Sequence, residues 1–178
     1  GGATRSALAP ADGRVVVDGP AEAGTVSEAV VTATNTFDVA DLEVVKTVEG
    51  AGAELWGAGP FEAQAVCTWD VDGETRTLAL PADGRLALTA DGGYRAAVRD
   101  LPVGAGCVVT ETRTGGATAT ATSADGAVVV GGEEPAVVTL TNTFDVASLD
   151  VTKRVEGAAD APGAEGPFTV RLLCTREV

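Results

Sequence analysis

The segment TNTFDVADLEVVKTVEG (34–50) recurs without a gap as TNTFDVASLDVTKRVEG (141–157), and GPFEAQAVCT (59–68) recurs as GPFTVRLLCT (166–175), both at an offset of 107 residues. A third correspondence runs through GGAT, ADGRVVV and VVTATNTF in 1–37, which parallel GGAT, ADGAVVV and VVTLTNTF in 115–144, with a few extra residues in the earlier copy. A period near 107 is the length of a domain, too long for a solenoid unit whose neighbours share one core. The chain therefore reads as the C-terminal part of one repeat (1–37), one complete repeat (38–144) and the N-terminal part of another (145–178).

Within the complete repeat, apolar residues alternate at 42–48, 61–71, 75–80, 85–89, 94–98, 106–112, 117–122, 127–130 and 136–144. The turn signals VDG, PADG, ADGG and SADG separate these runs and supply the positive φ of tight hairpins. No window carries a helical period. This pattern predicts an all-β fold, a tandem array of immunoglobulin-like β-sandwiches. Only Phe, Asp, Val and Ala lie between the last strand of one repeat and the first of the next, so a stiff rod is expected. Aromatic residues make up 4% of the chain, and cores built from small β-branched residues are modest enough to gain from a covalent staple.

Several function classes are excluded or demoted at this stage. A net charge of −14 argues against nucleic acid as a partner, and the acidity is read as solubility. No apolar run is long enough to span a membrane, so no membrane contact is expected from this segment, and any targeting or anchoring signal is expected outside it. With no histidine, the usual catalytic triads and histidine metal sites are ruled out. DVDGE (70–74) has a faint calcium-loop look, but it lacks the further ligands and reads as a hairpin turn, so neither metal nor cofactor is expected. Trp56 and Tyr94 are candidates for part of a sugar-binding surface, with local packing as the plainer reading.

Strand parity raises one unusual problem. Alternate residues of a strand share a face, which groups Leu42, Val44, Lys46 and Val48 on the core side. The only other lysine, Lys153, is grouped in the same way with Leu149, Val151 and Val155. The last strand groups Val138, Leu140, Asn142 and Phe144, and its counterpart groups Asn35 with Val31, Ala33 and Phe37. Cys107, Val109 and Glu111 share a face as well. Lysine, glutamate and asparagine thus all point inward, although an unpaired buried charge costs several kcal/mol.

Three readings satisfy that constraint. Lys46 and Glu111 form a buried ion pair with Asn142 as hydrogen-bond partner. Alternatively, the lysine snorkels from a strand end to water. In the third, desolvation lowers the lysine pKa and the neutral amine attacks the Asn142 carboxamide, with the Glu111 carboxyl polarising that group and shuttling protons. The third expels ammonia and leaves a Lys–Asn amide.

LEVVKTVEG, VVTETRTGGA and VTLTNTF resemble the B-repeat (Cna-B-type) domains of Gram-positive collagen adhesins and the related pilin domains. They also look like an actinobacterial surface repeat that carries a cysteine pair. The resemblance covers the complete repeat and both partial ones. It implies Lys46 as amine donor, Asn142 as acyl donor and Glu111 as the acid/base of an intradomain isopeptide bond, with Asn35 and Lys153 as equivalents in the partial repeats. One departure is that ETRTGGA lacks the proline and tyrosine that usually follow the glutamate in pilins. There is also no sortase sorting signal and no pilin-polymerising lysine motif in the segment.

Cys67 shares a face with Phe61, Ala63, Ala65 and Trp69, and Cys107 also points inward, so the two can meet across the sandwich. A bridge between them would close a loop of roughly 40 residues, and two buried free thiols are the alternative. Cys174 is the counterpart of Cys67, with its own partner expected past Val178. The expected role is structural: a repeat of an extracellular, cell-surface stalk, adhesin or filament. Its expected partners are neighbouring repeats of the same chain and other copies in a filament. It is not expected to be an enzyme, beyond one self-crosslinking turnover. The alternative is a multivalent module binding glycan or host protein without a crosslink.

Overall fold

The computed structural model describes residues 2–17, 19, 28–157 and 162–175. Nine strands lie between residues 38 and 144. They are β3 (Val39–Glu49), β4 (Phe61–Val71), β5 (Glu74–Thr77), β6 (Arg85–Leu88), β7 (Arg95–Pro102), β8 (Gly106–Thr114), β9 (Ala119–Thr122), β10 (Ala127–Val129) and β11 (Ala136–Thr143). They build two sheets. One has the order β7-β3-β11-β9, and the other has β10-β8-β4-β5 with β6 also paired to β4. The all-β sandwich expected from the alternation is the observed architecture.

The inward faces follow the period-2 pattern. Leu42, Val44, Val138, Leu140 and Phe144 from the first sheet meet Phe61, Ala63, Ala65, Leu88 and Val109 from the second, all essentially without solvent exposure. Phe61 lies at the centre of the aromatic part of this core, packing edge-on against both Tyr94 and Phe144. Tyr94 is therefore a core-packing residue. Trp56 is exposed, in the one-turn helix Ala53–Trp56, an element without sequence periodicity.

Turn chemistry and topology part company at three of the four turn motifs. VDG joins β4 to β5, an antiparallel neighbour pair, and is a true hairpin. PADG and SADG do place Ala82, Asp83 and Gly84, and Ala124, Asp125 and Gly126, at positive φ. PADG nonetheless joins two strands that both pair with β4, whereas ADGG and SADG carry the chain from one sheet to the other. Gly84 and Gly126 are needed there for close approach. A Cβ on either would lie 2.1 Å from a main-chain oxygen, that of Ala65 or Val109 respectively. Local residues specify the left-handed turn; which strand follows is decided by where the next apolar run finds a ladder.

The first and last strands of the unit, β3 and β11, lie side by side and parallel, with Leu140 opposite Lys46 and Asn142 opposite Val48. Preceding them, β1 (Arg5–Ala9) and β2 (Thr32–Thr36) form a separate antiparallel ribbon. Residues 145–157 and 162–175 carry no strand, because an extended segment without a ladder partner has no backbone pairing to hold it. Leu149, Val151 and Val155 are exposed there. Among the described residues no helix is long and apolar enough to cross a membrane.

Candidate functional site: a lysine, a glutamate and an asparagine inside the sandwich

Three polar side chains meet in the core. Lys46 comes from β3 and Asn142 from β11, both buried, and Glu111 reaches in from β8 on the facing sheet. The Lys46 and Glu111 side chains are 0% and 7% exposed, and Lys46 Nζ lies 3.0 Å from Glu111 Oε1. The same oxygen accepts a hydrogen bond from Asn142 Nδ2 at 2.9 Å. Nδ2 gives its second hydrogen to the main-chain oxygen of Thr114 at 2.8 Å. Lys46 Nζ also donates to the Leu140 carbonyl at 3.3 Å and sits 5.0 Å from the centre of the Phe61 ring.

Parallel pairing of β3 and β11 makes this meeting possible. Lys46 and Asn142 are offset by two positions along adjacent strands, so their side chains leave the same face as diagonal neighbours. Glu111 reaches them by keeping the inward parity of Cys107 and Val109, and β8 bulges directly after it. Ala63 faces Glu111 while Glu62 faces Arg113, which leaves Thr112 as the extra residue. Beyond the bulge, Thr114 and the positive-φ pair Gly115 and Gly116 turn the chain so that the Thr114 carbonyl faces Asn142.

The electrostatics of the site pull in two directions. Burial pushes the Lys46 ammonium below its ordinary pKa of 10.5, while the hydrogen bond and charge of Glu111 oppose that fall. The Phe61 ring face adds a weak preference for the cation. Asn142 Oδ1 is the one buried side-chain nitrogen or oxygen without a hydrogen-bond partner among the described residues. Orientation of the carboxamide is fixed from the other end, because exchanging its O and N would set an oxygen against the Thr114 carbonyl. The Glu111 carboxylate thus meets the carboxamide at its nitrogen and leaves Oδ1 without a partner.

Asn35 and Lys153 are not brought into such a site. Asn35 is exposed on β2 and accepts a hydrogen bond from Ser6 through Oδ1. Lys153 is also exposed, with its Nζ 4.6 Å from the centre of the Phe168 ring, so the lysine–phenylalanine pairing of Lys46 and Phe61 recurs without the burial. Among the described residues no second sheet covers β2 or the 149–155 segment, so the face that carries each residue has nothing packed against it. Cys67 and Cys107 are joined by a disulfide. They are directly opposite one another on neighbouring strands β4 and β8, with Cα atoms 4.1 Å apart. The bridge therefore lies within one sheet and does not cross the sandwich. Parity reports which face a residue takes, not which sheet it belongs to. Cys174 is a free, exposed thiol. No cluster of metal-ligating side chains occurs among the described residues.

Sequence reasoning missed Phe61 as the ring beneath the ammonium and Thr114 as the carboxamide's second acceptor. The diglycine after Thr114 was the available signal, since paired positive-φ residues re-aim a carbonyl at a strand end.

A family model described as a domain of unknown function, DUF5979, matches residues 42–145. The chain belongs to that family. The match contains Lys46, Glu111, Asn142 and both bridged cysteines, so the buried cluster lies wholly inside the DUF5979 domain. Among solved structures, the chain is similar to the pilus-presented adhesin Spy0125 (Cpa), at 18% identity over 62% of this chain and 28% of that one, with a TM-score of 0.40. It is similar to the major pilin T3.2 from Streptococcus pyogenes at 21% identity over 69% of this chain and 51% of that one, TM-score 0.41. A third is a bacterial adhesin from Mobiluncus mulieris containing intramolecular disulfide, isopeptide and ester bond cross-links, at 16% identity over 66% and 44%, TM-score 0.34. The chain thus spans about half or less of the length of these proteins. No curated protein matches it.

Proposed function

We propose that this DUF5979 domain is a structural repeat of a cell-surface stalk, adhesin or filament, and that Lys46 and Asn142 join in an isopeptide bond. The observation that carries the reading is one carboxylate oxygen, Glu111 Oε1, within hydrogen-bond reach of both the attacking and the departing nitrogen. The ammonium first passes a proton to Glu111, and the neutral Nζ attacks Asn142 Cγ. Glu111 delivers that proton to Nδ2 and takes another from Nζ as the Cγ–Nδ2 bond breaks. Ammonia leaves, an amide remains, and Glu111 ends protonated. An ion pair enters and no buried charge remains. A groove lined in part by Glu111, Thr114, Thr120 and Thr122 opens this side of the site to solvent and gives ammonia an exit.

The mechanical consequence follows from strand placement. Tension along the chain enters at β3 and leaves at β11, which would shear their parallel ladder. An amide between Lys46 and Asn142 carries that tension across the ladder and leaves residues 47–141 outside the force path. The disulfide between β4 and β8 tightens the enclosed portion. The domain would perform a single turnover on itself and none on other molecules. Stretching single molecules of the full chain between its ends tests this. The crosslinked repeat releases no contour length from 47–141, and release of that length would refute the proposal.

A further inference from the structure

The GGAT segments make the same small lock twice. Thr118 Oγ1 lies 2.9 Å from the Thr143 oxygen and 3.1 Å from Asp145 Oδ2, and it accepts the Asp145 N–H at 3.0 Å. Thr4 Oγ1 lies 2.8 Å from the Thr36 oxygen and 2.9 Å from Asp38 Oδ2, and it accepts the Asp38 N–H at 3.0 Å. The single hydroxyl hydrogen favours the carboxylate, a charge-assisted bond, since Thr36 and Thr143 already receive the N–H of Thr4 and Thr118. In each case the lock ties the threonine to the end of a last strand and to the aspartate two residues beyond it.

At the first lock, the structure shows what lies on the other side. The Asp38 carbonyl accepts the N–H of Val103 at 3.1 Å, so this one residue is held by its side chain to Thr4 and by its main chain to the sandwich. The outer edge of the Trp69 ring lies so close to Gly2 that a Cβ there would come within 2.7 Å of it. Gly2 also holds a φ of +58°, so both its backbone and its missing side chain fit the ring. Around this contact, Phe37, Val39, Trp69 and Pro102 line a small apolar cavity of about 130 Å³.

We propose that the Gly-Gly-Ala-Thr turn is a docking element by which each repeat seats itself on the next, with the Thr–Asp pair as its latch and residue 69 of the following repeat as its platform. This rests on the reading of the chain as a tandem array. Two links connect the latch to the platform: Asp38 is bonded to both sides, and Trp69 covers the glycine two residues before Thr4. Thr118 with Asp145 repeats the latch at the far end of the complete repeat, where Gly116, the counterpart of Gly2, also holds a positive φ and the counterpart of Trp69 in sequence is Arg176. Junctions of the array therefore share a latch and differ in platform, which sets their relative stiffness.

Amide hydrogen exchange on the full chain tests the joint. Asp38 and Val103 amides are protected in the wild type. Thr4→Val, which keeps the side-chain shape and lies outside the sandwich, accelerates both by about tenfold or more. The Asp145 amide, locked by Thr118, keeps its rate, as do amides at the centre of β3 and β11. Trp69→Ala likewise releases Asp38 and Val103. If Thr4→Val speeds Asp38 but leaves Val103 unchanged, or both exchange freely in the wild type, the turn is a local cap and the docking proposal is wrong. Should Trp69→Ala unfold the sandwich, visible as lost protection in β3, the Thr4 variant alone decides. None of this depends on whether Lys46 and Asn142 are joined, which mass and stretching report.

Discussion

Lys46 on the first strand of the sandwich and Asn142 on the last are bridged by a single atom, Glu111 Oε1, 3.0 Å from one nitrogen and 2.9 Å from the other. A buried charge pair is a poor source of stability, because desolvation consumes most of the Coulomb gain. The same pair is well suited to a reaction that converts it into a neutral amide.

Removing one partner of the pair leaves the other charge buried. In an Asn142→Ala background, which retains the lysine and cannot crosslink, Glu111→Ala is expected to cost about 3–5 kcal/mol in urea unfolding. Adding Lys46→Met to that variant recovers most of the loss, since no ammonium then remains to be solvated. Equal stability of the two variants would show that Lys46 reaches water.

The lowered pKa of Lys46 gives Asn142→Ala a particular pH dependence. Between the depressed folded pKa and the ordinary value of 10.5, the unfolded chain holds more protons than the folded one, so stability rises with pH across that window. The slope is at most about 1.4 kcal/mol per pH unit. Below the folded pKa this group contributes no slope. The wild type, its amine consumed, lacks the rise; urea midpoints measured from neutral pH to 10.5 compare the two.

Much of this site could be read without coordinates, and the parts that could not share a cause. Period-2 alternation places Lys46, Glu111 and Asn142 on inward faces, and the side chains lie there. Lys153 and Asn35, with nearly identical local sequences, lie exposed because burial belongs to the opposing sheet and not to the strand, and neither has such a sheet among the described residues. Parity likewise turned Cys67 and Cys107 inward without revealing that their strands are neighbours. The bulge at Thr112 shifts the ladder by one residue, and no single residue type announces it. Three turn motifs read as hairpins are crossings or bypasses for a similar reason: positive φ is a local property, pairing a global one.

The Cys67–Cys107 bridge closes a span of 40 residues, for which chain entropy predicts a contribution of about 4 kcal/mol. Replacing both cysteines by alanine is expected to lower the unfolding free energy by up to that amount while leaving the crosslink intact. Loss of crosslinking in this variant would mean that the bridge positions Glu111 through β8.

Gly115 holds a φ of +62°, and a Cβ there would come within 2.8 Å of the Phe61 ring. Gly115→Ala should cost about 1–3 kcal/mol from backbone strain. By displacing the Thr114 carbonyl it should also slow crosslinking, leaving a fraction of the purified protein unreacted by mass. Full reaction in this variant would remove Thr114 from the positioning role.

The central claim is tested most directly by the intact mass of the fully reduced chain, measured beside Glu111→Ala. The account predicts that the wild type is lighter than its sequence by one ammonia, that fragmentation places the loss at an amide joining Lys46 to Asn142, and that the variant keeps its full calculated mass. A wild type at full calculated mass would contradict it and leave Lys46 and Glu111 as a buried ion pair.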